Sequence, residues 1–222
     1  MIYSSDRDVY VILPLLFIGL FLLGCDQSDN VQAGGGADVS QSTSGSAADA
    51  PRSALAAMAT AMRQGDSSAF SELVYTGGSE EAAAFAEMMA ALVELYGASH
   101  ERYGKMLDHA YLTIPTHAQI KAMRFTVDGD TAVGTLEGGE PTMLCKIDGQ
   151  WMLDFRHAVR RGPEAVAPRT FMRLAENARA IAGEIREGGF TTEQEADQAL
   201  AARNRKVLEE AGIKEAGKAD SD

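Results

Sequence analysis

Two Asp-Gly dipeptides, each set between runs of alternating apolar and polar residues, constrain the fold more than any other feature. The stretch IKAMRFTV-DG-DTAVGTLEGG carries Asp128-Gly129 between β-prone segments, and MLCKI-DG-QWMLDF repeats the device around Asp148-Gly149. Asp-Gly suits the two-residue turns that join antiparallel strands, because both central positions of such turns take positive φ readily. If the dipeptides are the turns, Phe125 lies opposite Ala132 and Lys146 opposite Trp151. Met123, Phe125 and Leu136 then gather on one face. In the second hairpin Leu144, Trp151, Leu153 and Phe155 share a face, with Met143, Cys145, Ile147 and Met152 on the other. A hairpin apolar on both sides is expected to be covered on both sides. Tyr111 to Ile114 is read as a further strand.

Before these hairpins the period is helical. Leu55, Met58 and Met62 recur at helical spacing up to Gly65-Asp66, and Asp66 suits the N-cap of a short helix carrying Phe70, Leu73 and Val74. Phe85, Met88, Met89, Leu92, Val93 and Tyr96 form one continuous stripe. Ser79, Glu80 and Glu81 suit its start, where carboxylates complement the helix dipole, and Gly97 suits a stop or a break. A Met-rich stripe is more often core than binding surface. After the hairpins, Phe171, Leu174, Ala178, Ile181 and Ile185 mark a helix beginning at Pro168 and ended by Gly188-Gly189. Thr191 with Gln194 fits a capping box for a last helix bearing Leu200, Val207 and Leu208, stopping at Gly212. These two helices are expected to cover the second face of the sheet. The fold class is therefore α+β, with N-terminal helices packed on a curved antiparallel sheet and additional C-terminal helices.

The N-terminus is of another kind. Val9 to Gly24 carries no charge and is almost wholly apolar, too short for a spanning helix and suited to the centre of a signal peptide. Asp6-Arg7-Asp8 before it is net acidic, where signal peptides usually carry positive charge. The sequence Leu22-Leu23-Gly24-Cys25 resembles the bacterial lipobox. That resemblance implies cleavage after Gly24, a diacylglycerol on the Cys25 sulfur, and a protein held at a membrane from outside the cytoplasm. In some bacteria an Asp at the position of Asp26 marks retention at the inner membrane. Asp26 to about Arg52 is rich in Gly, Ser, Ala and Asp, a composition expected to act as a flexible tether. The expected layout is a signal peptide over 1–24, a lipidated Cys and linker over 25–52, a domain over 53–160, a helical extension over 161–212 and a disordered tail over 213–222.

Composition excludes some functions. The net charge of −12 argues against nucleic acid, which needs clustered Lys and Arg. With Cys25 carrying lipid, Cys145 has no partner in the chain, and the domain is expected to hold without a disulfide. Cys145 sits mid-strand among apolar residues and reads as an inert buried thiol.

The phrases AMRQGDSSAFSEL, FTVDGDTAVGTL and CKIDGQWMLDF, over about Ser53 to His157, resemble lipoproteins of the NTF2-like superfamily, of the DUF4878 or SnoaL type. The resemblance implies a small α+β cone. That superfamily hosts isomerases, dehydratases, binding modules and transport adaptors, so fold alone decides no activity.

No catalytic motif is complete. His100-Glu101 begins like a zincin helix but has Gly104 where the second His belongs, and Asp128-Gly129-Asp130 begins like a calcium loop but has Val133 where Gly is needed. No metal or cofactor is expected. A pocket in such a cone would draw on Tyr96, Tyr103, His109, His117, Arg124 and Asp154, with Asp108 and His157 as further ionisable groups. Arg156, His157, Arg160 and Arg161 form the one basic cluster, read as a solvated strand end in preference to an anion site. Two functions from different classes follow as expectations. The first is a membrane-anchored, non-catalytic module binding a small molecule or protein; the second is a small pocket enzyme of the SnoaL or ketosteroid-isomerase type. A homodimer pairing through an open sheet face is a third.

Overall fold

The computed structural model describes residues 44–110, 112–137, 139, 141–159 and 166–213, with side chains from Ala48 onward. In chain order the elements are α1 (Ser44–Gln64), α2 (Ser67–Glu72), β1 (Val74–Tyr75), α3 (Glu80–Tyr103), α4 (His117–Ala122), β2 (Arg124–Asp128), β3 (Thr131–Thr135), β4 (Thr142–Ile147), β5 (Gln150–Asp154), α5 (Pro168–Arg186) and α6 (Glu193–Glu210). Short 3-10 turns occupy Asp108–Ala110 and Phe155–His157. The class is mixed α+β.

The sheet has five strands in the order β1-β5-β4-β3-β2. Strands β2 to β5 form the expected antiparallel meander, but β1 joins its far edge in parallel, with Val74 opposite Leu153 and Tyr75 opposite Asp154. The sheet is thus mixed rather than purely antiparallel. The second hairpin turns on Asp148 (φ +50) and Gly149 (φ +86), the two positive values a type I′ turn requires, and Lys146 pairs with Trp151 as expected. The first hairpin differs. Asp128 pairs with Thr131, so the loop is Gly129-Asp130, with Gly129 alone at positive φ (+55). That places glycine first in the loop, as a type II′ turn does. Phe125 consequently pairs with Gly134 and not with Ala132. The slip moves partners by two residues, so the faces are unchanged. A Cβ on Gly134 would lie 2.7 Å from Phe125 Cε1 and 2.9 Å from Met123 Cε, which is why β3 carries a glycine there. Leu112–Ile114 forms no strand, and Tyr111 lies outside the described residues.

Helix α1 starts at Ser44, inside the stretch expected to be tether. Ala47, Ala48 and Ala50 are strong helix formers, and the ring of Pro51 is fully buried despite its missing N–H. The helix lies on the sheet face that carries Phe125 and Leu153. There the Arg52 guanidinium sits 5.3 Å over the Phe125 ring and Nη2 donates to Met123 O at 3.2 Å. On the opposite sheet face Cys145 is buried, while Val133, Met143, Ile147 and Met152 are half-buried.

Helix α3 starts at the expected Ser79 cap, whose Oγ accepts the Ala82 N–H, but it does not stop at Gly97. It runs on to Tyr103 and ends on Gly104 at φ +76. Gly97 serves close approach instead, since a Cβ on it would lie 2.9 Å from the Cα of Gly65 in the α1–α2 turn. The C-terminal helices pack against this helix and not on the second sheet face. Helix α5 lies along α3, and α6 lies on α5. Arg179 bridges to Glu87 (2.7 Å), Arg186 to Glu94 (2.7 Å) and Arg203 to Glu184 (2.8 Å), with Arg173 paired to Glu210. The cap of α6 is Thr192 with Glu195, one residue beyond the expected Thr191 and Gln194. A single core extends from Leu55 through Phe85 and Ile181 to Leu208.

Candidate functional site

The residues expected to line a pocket fall into separate groups. One group lies where the end of α3 meets the start of α6. His109 Nδ1 lies 2.6 Å from Asp197 Oδ2, and the His109 backbone N–H donates to Asp197 Oδ1 at 2.8 Å. The two side chains are 15% and 11% exposed, so water competes little for the bond. The hydrogen bond to Asp197 raises the His109 pKa above its ordinary value; burial opposes this, and the charges of Asp197 and Asp108 add to it. Tyr103 is close by. Its hydroxyl donates to Phe190 O at 3.4 Å, and burial raises its pKa. Lys105 Nζ bridges to Glu193 at 2.9 Å, and the buried Ser99 Oγ donates to Lys105 O at 2.5 Å. These contacts fasten the chain after α3 to the first two turns of α6.

A second group sits where β1 meets β5. Asp154 is buried, with a side chain 4% exposed, and takes two hydrogen bonds from the Arg156 guanidinium, Nε to Oδ1 at 2.8 Å and Nη2 to Oδ2 at 2.5 Å. The Arg156 backbone N–H adds a third at 3.1 Å. Burial pushes the Asp154 carboxyl up, but the Arg156 hydrogen bonds and charge together outweigh it and hold the pKa below the usual range. The same guanidinium lies 4.9 Å over the Tyr75 ring, and a Cβ on Gly77 would strike its Cδ at 2.4 Å. Arg156 is thus pinned from three sides. His157 Nε2 is 3.7 Å from Asp154 Oδ2 and largely exposed. Burial raises the Cys145 thiol pKa, as expected of an inert residue.

The remaining candidates belong to neither group. Tyr96 stacks on His100 along α3, with centroids 5.6 Å apart. His117 is an exposed residue in the first turn of α4, and Arg124 is exposed at the start of β2. Cys25, Arg160 and Arg161 lie outside the described residues. The structure therefore brings Tyr103 and His109 to one neighbourhood and leaves Asp154, Tyr96, His117 and Arg124 apart from it. Asp197 is the functional candidate that the sequence patterns above omit, though it occupies a core-facing position of α6 three residues before Leu200. A carboxylate in an apolar helical register signals a buried partner.

Next to the second group the core is built from aromatic rings. Phe85 lies 5.2 Å from Phe155 and 5.5 Å from Phe171, and Phe155 lies 6.3 Å from Phe70, tying α2, α3, α5 and the turn after β5 together. Met88 is 2% exposed in the same core, with Met89 and Phe125 packed against it. Among the described residues no group of three or more His, Cys, Asp or Glu is placed to hold a metal ion, and no helix is long and apolar enough to cross a membrane. No protein-family model, curated protein or solved structure matches the chain.

Proposed function

We propose that the chain is an exported bacterial lipoprotein, held at a cell-envelope membrane by lipid on Cys25, whose NTF2-like domain is a non-catalytic binding or scaffold module. The observation that carries the non-catalytic reading is the ring series Phe70, Phe155, Phe85 and Phe171, packed against one another in the core where α2, α3, α5 and the turn after β5 meet. The ionisable candidates support it. His109 is spent on Asp197, which joins the chain after α3 to α6, and Asp154 on Arg156 two residues along.

The anchoring rests on the Leu22-Leu23-Gly24-Cys25 sequence and on the Gly/Ser-rich segment that separates Cys25 from α1. The cone reading rests on the helix–sheet order and the two Asp-Gly or Gly-Asp hairpins. Metabolic labelling with a palmitate analogue tests the anchor: wild type should be labelled and Cys25→Ala should not, and equal labelling of both refutes it. Thermal unfolding of His109→Ala and Asp154→Ala tests the module. Both should lose stability, because structural residues stabilise the fold whereas catalytic ones often strain it. A gain in Tm for either variant would favour the pocket enzyme.

A further inference from the structure

We propose that two copies of the chain associate through the edge strand β2, paired antiparallel about a two-fold axis at Thr126. The direction of the strand's free hydrogen-bonding groups follows from the ladder. The Lys146 N–H donates to Asp130 O at 2.7 Å, so the even-numbered residues of β3 turn towards β4. Thr131, Val133 and Thr135 then face β2, and their partners Asp128, Thr126 and Arg124 face back. Phe125 and Val127 turn their N–H and C=O groups outward, away from the sheet. Met123 O, in the same register, is the acceptor that Arg52 reaches. Among the described residues no hydrogen bond is made to the outward groups of Phe125 and Val127.

The side chains of this edge complement themselves. Centred on Thr126, an antiparallel copy sets Phe125 opposite Val127 of the second copy in a hydrogen-bonded pair, twice by symmetry, giving four main-chain hydrogen bonds. Arg124 meets Asp128 of the second copy, again twice, in the closer non-bonded pairs. Thr126 meets its own counterpart. Aromatic with β-branched, opposite charges, and Thr with Thr are the cross-strand pairs that stabilise antiparallel sheets. Arg124, Thr126 and Asp128 are exposed on one face, and Phe125 and Val127 half-buried on the other, so every pair has room to form. Charges on an edge strand ordinarily repel a foreign strand. Here their order, Arg first and Asp last, accepts only a strand with the reverse charge order, which an antiparallel copy supplies. The opposite edge, β1, has two residues and offers no such ladder.

The test uses the full chain in detergent micelles under a mild thiol oxidant. Thr126→Cys places two thiols across the axis at a separation of about 4.5–5.5 Å between Cα atoms, within disulfide reach. It should form a covalent dimer, while Thr135→Cys, one strand away and equally exposed, should not. Adding Arg124→Asp should cut the Thr126→Cys dimer yield about tenfold, and combining it with Asp128→Arg should restore the yield to within about threefold. Val127→Pro removes one outward N–H that the isolated fold does not use, and should abolish the dimer while leaving the circular dichroism unchanged. Equal cross-linking at positions 126 and 135 overturns the proposal. So does a doubly charge-swapped chain that folds as wild type but does not recover its dimer.

Discussion

Asp197 grips His109 with both carboxylate oxygens, one on the backbone N–H at 2.8 Å and one on the ring Nδ1 at 2.6 Å, across 88 residues of sequence. The bond is strongest when the imidazole is protonated, which is why the folded pKa is raised. A raised pKa contributes stability that is fully present below the unfolded value of about 6.5 and is lost as pH rises through the folded value. At pH 6, His109→Gln should cost about 1–3 kcal/mol. The difference in Tm between wild type and variant should shrink as pH rises from 6 to 9. A constant difference across that range would remove the charge from the argument.

Asp154 titrates in the opposite sense. Its depressed pKa means the stabilisation is present above about pH 4, the unfolded carboxyl range, and disappears as pH falls through the lower folded value. Asp154→Asn should destabilise by about 1–3 kcal/mol at neutral pH, less than a fully buried pair would lose, because Arg156 is 38% exposed and rehydrates in part. Acid unfolding of the variant should lack the component that wild type loses below pH 4.

Gly97 separates helix propensity from packing. On propensity alone Gly97→Ala would stabilise α3 by about 1 kcal/mol. The added methyl would lie 2.9 Å from the backbone of Gly65, which cannot swing aside as a side chain can. Urea unfolding should therefore show a net loss of about 1–3 kcal/mol. A stabilised variant would mean that the two elements separate freely.

Core and surface should differ sharply. Phe85→Ala removes the ring that touches both Phe155 and Phe171 and should cost about 3–5 kcal/mol. Arg179→Ala removes bridges to Glu87 and Glu94 between side chains that are 27–41% exposed, and should cost about 1 kcal/mol or less, with the loss fading in high salt. Paired denaturation curves at low and high ionic strength distinguish the two.

What was legible in the sequence is what local periodicity encodes. The stripe from Phe85 to Tyr96, the helix from Pro168 and the Asp148-Gly149 hairpin all follow from residues near one another in the chain. The misplaced details have local competitors. Gly129 serves as the first residue of one loop type or the second of another, and only the pairing of Asp128 with Thr131 decides. Gly97 reads as a helix stop until its neighbour Gly65 is known. The extra turns of α1 come from alanines embedded in a glycine- and serine-rich stretch, where composition averages them away. The contacts of His109 with Asp197 and of Phe125 with Arg52 depend on segments far along the chain, which no short window contains.

The parallel pairing of Val74 with Leu153 ties together points roughly eighty residues apart, and such long-range closures are slow compared with hairpins. During synthesis α1, α2 and β1 are made before any strand exists to receive them. Helices α3 and α4 and three further strands are translated before the partner of Val74 exists. The two residues of β1, the smallest element of the sheet, are thereby made first among the strands and seated last.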